Sequence, residues 1–198
     1  SVSFESGSQL TTIGTYAFKL SGLTSITLPA SVITIGSYAF LSCSSLTSVN
    51  FESGSQLATI GMYAFYETGL SGSITFPASL TSIGVSVFEN CYSLSGVSFA
   101  STSQIDSIDT YAFKLSGLSG SITLPASLTS IGNQVFFGCS RLTSVSFESG
   151  SQLETIGGSS VFWDSGLTSF SAPQSVLDIL GVTVGINKTV GGKTGVTV

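Results

Sequence analysis

The chain has 198 residues, of which 42% are hydrophobic and 8% are charged, and its net charge is −5. Because it has no histidine, Ser-His-Asp triads, Cys-His pairs and histidine-bearing zinc sites are excluded, and its 5 basic residues are too scattered to follow a phosphate backbone. Nucleic acid is therefore not an expected partner, and membrane insertion of this segment is not expected because no run of about 20 apolar residues occurs.

A short phrase, Ile-Gly-x-x-[Ala/Val]-Phe, repeats along the whole chain. Its phenylalanine falls at Phe18, Phe40, Phe65, Phe88, Phe113 and Phe136, and in a longer form at Phe162. The intervals alternate between shorter and longer, so the true unit is a pair of coils; Cys43, Cys91 and Cys139 lie 48 residues apart. Units of this length cannot bury their own apolar face, which predicts a solenoid of stacked coils.

One coil shows the predicted elements in chain order. Residues 25–28 alternate between polar and apolar, which predicts a short strand with one buried face, and Pro29 ends it because proline cannot donate to a ladder. Residues 32–36 are a second apolar stretch that ends in a glycine turn. Residues 38–40 are predicted to complete the coil through a tight turn or a short 3₁₀ piece.

The shorter coils resemble a known repeat. Residues 74–94 read Ile-x-Phe-Pro-x-Ser-Leu-Thr-Ser-Ile-Gly-x-x-Val-Phe-x-x-Cys-x-x-Leu, which resembles the BspA-like, or Treponema pallidum type, leucine-rich repeat. The resemblance covers residues 1–180, although the alternate coils lack the cysteine and carry glutamate or alanine in place of the proline. It implies a mainly β repeat solenoid, a right-handed stack of about seven to eight coils of short parallel strands, loops and short 3₁₀ turns.

The C-terminal part departs from the repeat. Within a closing region near 169–180, residues 175–180 are predicted to shield the final coil. Residues 181–198 are a Gly/Thr/Val-rich tail or linker, for which an irregular cap, a hairpin, a linker to another domain and an expression remnant remain open. Asn187 begins a glycosylation sequon, which has meaning only in a eukaryotic secretory route. The chain opens at Ser1 in mid-pattern and without a signal peptide, so we expect a piece of a longer protein.

No catalytic, metal-ligating or cofactor-binding residues are predicted. The cysteines lie two coils apart, which places their Cα atoms about 10 Å from one another, whereas a disulfide needs less than about 7 Å. We therefore expect them to be small buried hydrophobic residues. Asp106 and Asp109 are close in sequence but are interpreted as a solvated turn, and no histidine is present to activate a serine. An enzyme is not expected.

Two rows of surface positions are candidates for function. The outward strand positions form an uncharged polar ladder of Ser3, Thr27, Asn50, Thr75, Ser98, Thr123, Ser146 and Ser171. This ladder serves solubility alone, or it offers a hydroxyl array to ice or a crystalline polysaccharide. Asn50 and the serines break the strict threonine regularity that such an array favours.

The second row is the position after each core phenylalanine, which varies while its surroundings repeat. It holds Lys19, Leu41, Tyr66, Glu89, Lys114, Phe137 and Trp163. If exposed, these residues form a stripe in which Tyr66, Phe137 and Trp163 are candidate binding anchors of the kind enriched at interfaces. Lys19, Glu89 and Lys114 are the charged candidates of the same stripe. The alternatives are sequence drift and partial burial of the larger side chains.

The predicted function is binding or adhesion to a protein or glycan partner through an extended solenoid face. A structural spacer within a larger surface protein is the alternative, and binding of ice or crystalline polysaccharide is a third hypothesis. An extracellular or cell-surface location follows from the family resemblance alone, as does the absence of catalytic residues to carry over. The strands at either end of a fragment also permit end-to-end self-association.

Overall fold

The computed structural model describes residues 2–181, 185 and 188–198. Within them the chain forms about 7 turns of a parallel β-solenoid. Each turn contains one core phenylalanine, and we number the coils by it, from Phe18 in coil 1 to Phe162 in coil 7. The predicted mainly β repeat solenoid is confirmed.

Most elements are short strands. In chain order they are β1 (Thr12–Ile13), β2 (Ser25–Leu28), β3 (Thr34–Ile35), β4 (Ser48–Phe51), β5 (Thr59–Ile60), β6 (Gly72–Phe76), β7 (Ser82–Ile83), β8 (Leu94–Phe99), β9 (Ser107–Ile108), β10 (Ser119–Leu124), β11 (Ser130–Asn133), β12 (Arg141–Phe147), β13 (Thr155–Gly157), the 3₁₀ helix η1 (Gly158–Ser160), β14 (Ser169–Ser171), α1 (Gln174–Leu180), β15 (Lys188–Val190) and β16 (Lys193–Val196).

The largest sheet is built from one hydroxyl residue and one isoleucine per coil. Its seven parallel strands follow the order β1-β3-β5-β7-β9-β11-β13. Isoleucine pairs with isoleucine at each step, as Ile13 does with Ile35, and both are buried. The β-branched side chain suits this pleated, half-buried surface. Asp109 stands where other coils have glycine, yet Ile108 keeps its register with Ile83 and Ile131 on either side.

A second set of strands forms three short sheets. β2 pairs with β4, β6 with β8, β10 with β12, and β12 with β14, whereas β4 is not paired with β6, nor β8 with β10. At β2–β4 and β10–β12 the residue after the second strand extends the ladder, as when the Glu52 N–H donates to the Leu28 carbonyl (3.1 Å). Pro77 holds the corresponding position after β6 and has no N–H to donate. Proline alone does not prevent pairing, because β14 pairs with β12 although Pro173 holds the equivalent position.

The third side of each coil is a series of tight turns. In coil 2 the Ala39 N–H closes a turn on the Gly36 carbonyl (3.3 Å), whereas the next N–H, of Phe40, donates to the Ala64 carbonyl of coil 3 (2.8 Å). The turns place non-glycine residues in the left-handed region, as at Tyr38 with φ 59°. The sequence predicted either a tight turn or a short 3₁₀ piece at this side of the coil. Within the described residues the 3₁₀ form occurs at η1 in coil 7.

The core is a stack of phenylalanine rings. From Phe18 to Phe162, consecutive rings have centroids 4.9 to 5.8 Å apart and lie within 13° of parallel. These spacings are in the range of favourable offset stacking. Isoleucine, leucine and valine fill the space around the rings, which gives one apolar core along the stack.

The three cysteines are free and buried, as predicted. Each thiol donates to the carbonyl of the core phenylalanine in the preceding coil, as Cys91 does to Phe65 (3.0 Å). Cys91 also contacts the Thr68 hydroxyl at 3.2 Å. The cysteine of one coil thus satisfies a backbone acceptor of the coil before it.

The C-terminal residues cover the last coil. Helix α1 buries Val176 and Leu177, and β15 and β16 form an antiparallel pair that buries Val190 and Val196. The Phe162 N–H of coil 7 donates to the Gly191 carbonyl (2.9 Å), so the pair continues the inter-coil hydrogen bonds. This arrangement corresponds to the hairpin and the cap among the alternatives above. Asn187 lies outside the described residues.

Candidate binding surface on the turns

The turns place polar and aromatic side chains on one side of the solenoid, which we call the turn face. It comprises residues 14–21, 36–43, 61–68, 84–91, 109–116, 132–139 and 157–165. Two positions of a coil contribute to it, the one two residues before the core phenylalanine and the one directly after, although in coil 4 both residues, Ser86 and Glu89, are buried. The left-handed backbone at the first of them, φ 60° at Tyr16 for example, is shared by successive coils, so equivalent side chains lie in a row.

Tyrosines occupy the first position in coils 1 to 3 and stack on one another. The Tyr16 and Tyr38 rings have centroids 4.9 Å apart at an interplanar angle of 14°, and the Tyr38 and Tyr63 rings 5.3 Å apart at 4°. Tyr66 meets Tyr63 edge-on with 5.5 Å between centroids. We call Tyr16, Tyr38 and Tyr63 the tyrosine ladder.

Apolar and cationic groups surround the tyrosine ladder. Tyr16 is 51% exposed and Leu20 69% exposed, and the Lys19 ammonium lies 5.2 Å from the Tyr16 ring centroid. The Tyr38 hydroxyl contacts the Met62 sulfur at 3.6 Å, and Met62 is itself exposed. Coils 1 to 3 therefore present a contiguous surface of aromatic edges, thioether and alkyl groups with one cation at its end.

The middle of the turn face is a charged and aromatic cluster. Lys114 and Glu89 form an ion pair with 3.1 Å between Nζ and Oε1. The same ammonium lies 4.6 Å from the Tyr111 ring centroid and 6.0 Å from that of Phe137. Both charges are therefore neutralised locally, which leaves less charge for steering a partner.

Tyr66 of coil 3 lies next to this cluster, on the side of Glu89. Its hydroxyl accepts a hydrogen bond from the Asn90 amide (3.0 Å). Partial burial and the nearby Glu67 and Glu89 carboxylates raise the pKa of Tyr66, because each disfavours a phenolate. The phenol is therefore neutral under physiological conditions and can donate a hydrogen bond.

The structure separates the predicted stripe into three parts. Tyr66, Glu89, Lys114 and Phe137 come from neighbouring coils and lie near one another. Lys19 is at the first coil, and Trp163, 58% exposed, is at the last. The sequence left the exposure of the stripe open; Glu89 is buried and pairs with Lys114.

The tyrosine ladder was missed because tyrosine was interpreted as part of the turn leading into the core. The signal was present in the sequence. Tyrosine stands two residues before the core phenylalanine at Tyr16, Tyr38, Tyr63 and Tyr111, whereas coils 4 and 6 have Ser86 and Gln134 there. The recurrence of tyrosine at this spacing marks a row along the solenoid, although Ser86 is itself buried in coil 4.

The described part of the chain contains neither a candidate metal site nor a helix long enough to span a membrane. Among its residues, no group of three or more His, Cys, Asp or Glu side chains could hold a metal ion. Its single α-helix is too short to cross a bilayer. What the turn face supplies is rigid apolar area with hydroxyl groups at its edge.

Comparison with known proteins identifies the repeat. The family model described as the BspA type leucine rich repeat region matches residues 1–95 and 58–181, with 6 copies. No curated protein matches the chain in sequence.

Solved bacterial structures share the fold. The pneumococcal vaccine antigen PcpA superposes with a TM-score of 0.69 at 22% identity, covering 87% of this chain and 55% of that one. A leucine-rich repeat protein from Eubacterium ventriosum gives 0.51 at 20% identity, covering 87% and 51%. The T. pallidum leucine-rich repeat protein gives 0.49 at 25% identity, covering 88% and 79%. The chain spans about half the length of the first two.

Proposed function

Because the chain belongs to the BspA-type leucine-rich repeat family, we propose that it is a non-enzymatic binding module whose turn face holds a protein partner at the cell surface. The family is one of repeat proteins that bind other proteins. We propose in addition that the turn face makes the contact, that the contact is adhesive and that it takes place at the cell surface.

The tyrosine ladder is the observation that carries this proposal. Tyrosine is enriched at protein interfaces and among the residues whose truncation most weakens binding. Its ring offers large apolar area with few rotatable bonds, so little conformational entropy is lost on binding. Stacking of Tyr38 between Tyr16 and Tyr63 restricts the rings further before any partner arrives.

The remaining features of the turn face support contact rather than charge steering. Leu20 and Met62 add exposed apolar area beside the ladder, and Trp163 adds a large aromatic group at the far end. The Lys114–Glu89 pair leaves little net charge at the centre. A partner that lies along the solenoid axis could contact several coils at once.

The proposal is tested by a variant in which Tyr16, Tyr38 and Tyr63 are all replaced by serine. Serine is compatible with this backbone, since Ser86 holds the same position in coil 4 with φ 54°. We expect binding to extracellular-matrix proteins, measured by surface plasmon resonance, to weaken by at least about tenfold, since residues of this type often contribute more than 2 kcal/mol each.

A second triple variant separates the two parts of the turn face. It carries Tyr66→Ser, Phe137→Ser and Trp163→Ser, and loss of binding there instead would move the contact to the centre and C-terminal end. A matched control, Thr27→Ala with Thr123→Ala, removes hydroxyls outside the turn face and should bind normally. These two residues lie on the exposed side of β2, β4, β6, β8, β10, β12 and β14, which we call the strand face. Saturable binding unchanged in both triple variants, with circular dichroism unaltered, would reject the turn face.

A structural spacer is the second candidate function. The inter-coil ladders and the continuous phenylalanine stack make a rigid rod, which favours it. A spacer should tolerate both triple variants but not removal of one two-coil unit of 48 residues. Binding of ice is not proposed, because the polar ladder on the strand face is neither uniform nor continuous. Asn50 stands where the other coils have serine or threonine, and β4 and β6 do not pair.

A further inference from the structure

The strand face contains a groove where its ladder is interrupted. The groove lies between β4 of coil 3 and β6 of coil 4 and has a volume of about 510 Å³. Asn50, Glu52 and Thr75 are exposed on it, and Phe51 is half-buried. The two strands are not paired there, and Pro77, which follows β6, has no N–H with which to extend a ladder.

The same kind of groove occurs at the preceding junction of this type, between coils 1 and 2. It has a volume of about 230 Å³ and is lined by Ser3, Phe4, Ser25 and Thr27, with Glu52 at its edge. Phe4 and Phe51 are equivalent, and both are half-buried. The two grooves are two coils apart, about 10 Å along the axis.

We infer that these grooves bind a neutral, extended, β-1,4-linked glycan that runs along the solenoid axis. This site is independent of the turn face and goes beyond the protein contact proposed above. A sugar ring presents hydroxyls at its edge and an apolar C–H face, and each groove combines polar side chains with a half-exposed aromatic ring, the composition typical of small-molecule sites.

The polar groups of the larger groove suit sugar hydroxyls. The Asn50 side-chain amide both donates and accepts. The Thr75 hydroxyl lies 2.9 Å from that of Ser98 and can accept or donate in the same row. Glu52 uses Oε2 to accept from the Ala30 N–H (3.0 Å), and a carboxylate has further acceptor capacity for a sugar hydroxyl.

Charge and spacing define the class of glycan. Of the described residues that line the two grooves, Glu52 carries the only charge, so an anionic polysaccharide would be repelled and a neutral one would not. The two-coil step is close to the length of one disaccharide in an extended β-1,4-linked chain. Equivalent sugar faces therefore meet Phe4 and Phe51 in turn.

The experiment is isothermal titration calorimetry of the whole chain with cellohexaose, and with the α-linked maltohexaose as the control ligand. We expect saturable binding of cellohexaose and much weaker binding of maltohexaose, whose coiled chain cannot follow the axis. Replacing Asn50 and Thr75 together by alanine should weaken cellohexaose binding by about three- to tenfold or more, the range for loss of one or two hydrogen bonds.

The matched control is Thr123→Ala with Ser146→Ala. These residues lie on the same face, with hydroxyls 3.0 Å apart, but at the β10–β12 junction, where the ladder is closed. Their variant should bind cellohexaose as the wild type does. Phe51→Leu, which installs the residue type that Leu28 has in the paired strand, should also weaken binding without loss of the fold.

Three results would overturn the inference: no binding of cellohexaose, equal binding of maltohexaose or of a neutral peptide of similar length, or equal losses in the groove and control variants. The groove variants should leave binding of a matrix protein unchanged. The tyrosine-ladder variant should leave binding of cellohexaose unchanged. Failure of the glycan site and failure of the protein-binding face are thus separate outcomes.

Discussion

At the residue scale, the cysteines show how a small polarizable side chain serves a repeat. Each Sγ lies in the apolar core and donates to a phenylalanine carbonyl of the preceding coil, at 2.9 Å for Cys43 and 3.2 Å for Cys139. Burial raises the pKa of the Cys91 and Cys139 thiols to about 11, because a thiolate there would lose its hydration. These thiols are therefore protonated donors, and poor nucleophiles, at neutral pH.

The raised pKa values predict a loss of stability in alkali. The unfolded chain gives up these protons near pH 9, the ordinary thiol value, whereas the folded chain keeps them until about pH 11. The stabilisation is thus complete below pH 9 and falls as the pH rises through 11, by about 2 to 3 kcal/mol per thiol. Guanidinium unfolding at pH 7.5 and 10.5 measures this fall.

The double variant Cys91→Ala with Cys139→Ala isolates the contribution of the thiols to that pH dependence. It should be less stable than the wild type at pH 7.5 but should lose less stability between the two pH values. An identical loss in both proteins would mean that tyrosine and lysine side chains alone account for the alkaline effect.

The sequence predicted the core residues better than the exposed ones. The core phenylalanines follow from a period of one coil and the buried cysteines from a period of two coils, since a position that must be buried recurs with the repeat. Tyr38 and Tyr63 were missed because their exposure depends on a left-handed backbone that the pattern does not reveal. The burial of Glu89 could not be predicted from its own position, since its carboxylate pairs with Lys114 of the next coil.

At the scale of elements, the corner between the turn face and the following strand fixes how closely coils approach. Gly69 donates its N–H to the Cys43 carbonyl (3.3 Å) and Gly117 to that of Cys91 (3.0 Å). A Cβ added at Gly69 would clash with the Ser44 carbonyl oxygen, and one at Gly117 with that of Tyr92. Glycine is therefore required here by close backbone approach rather than by its dihedral angles.

Alanine at this corner should destabilise the protein only where a coil precedes it. We expect Gly69→Ala and Gly117→Ala each to lower the free energy of unfolding by about 1 to 3 kcal/mol, as overpacking does. Gly22 holds the same position in coil 1, where an added Cβ meets nothing within 4 Å, so Gly22→Ala is the control and should change stability little. Guanidinium unfolding of the three variants measures this; equal effects would show that the contact between coils is not the cause.

The short strands mark a limit of sequence analysis. A strand of two residues such as β3 contains no period to detect, so the sheet of seven strands was represented only as an apolar stretch before a glycine. Its register arises from stacking of one coil on the next. In contrast, the end of β2 at Pro29 was predicted, because the missing N–H is a property of that residue alone.

At the scale of the whole molecule, residues 188–198 pack against the last coil of the solenoid. The Phe170 N–H donates to the Thr197 carbonyl (2.8 Å) and the Thr197 N–H to the Thr168 carbonyl (2.9 Å), which places the chain end beside β14. Terminal coils of a solenoid need such a cover, since an open end exposes both apolar core and unpaired backbone.

Replacing Val190 and Val196 by serine should loosen this cover. Both side chains are fully buried, so we expect a loss of about 2 kcal/mol or more in the free energy of unfolding, and dimers or larger species in size-exclusion chromatography. The control is Thr189→Ser with Thr194→Ser, on the exposed side of the same strands. A monomer with unchanged melting temperature would show that the hairpin is dispensable. End-to-end association of the unaltered chain stays a prediction that the same chromatography tests.

The alternation of the two coil types sets the increment by which such a protein can change length in evolution. Removal of a single coil would place two coils of the same type side by side, although each type normally contacts the other. Recombination at matching points 48 residues apart keeps the alternation and therefore restores every interface. Homologous exchange should therefore add or remove reach in steps of about 10 Å. A lineage could tune how far its binding faces extend without redesigning a single contact.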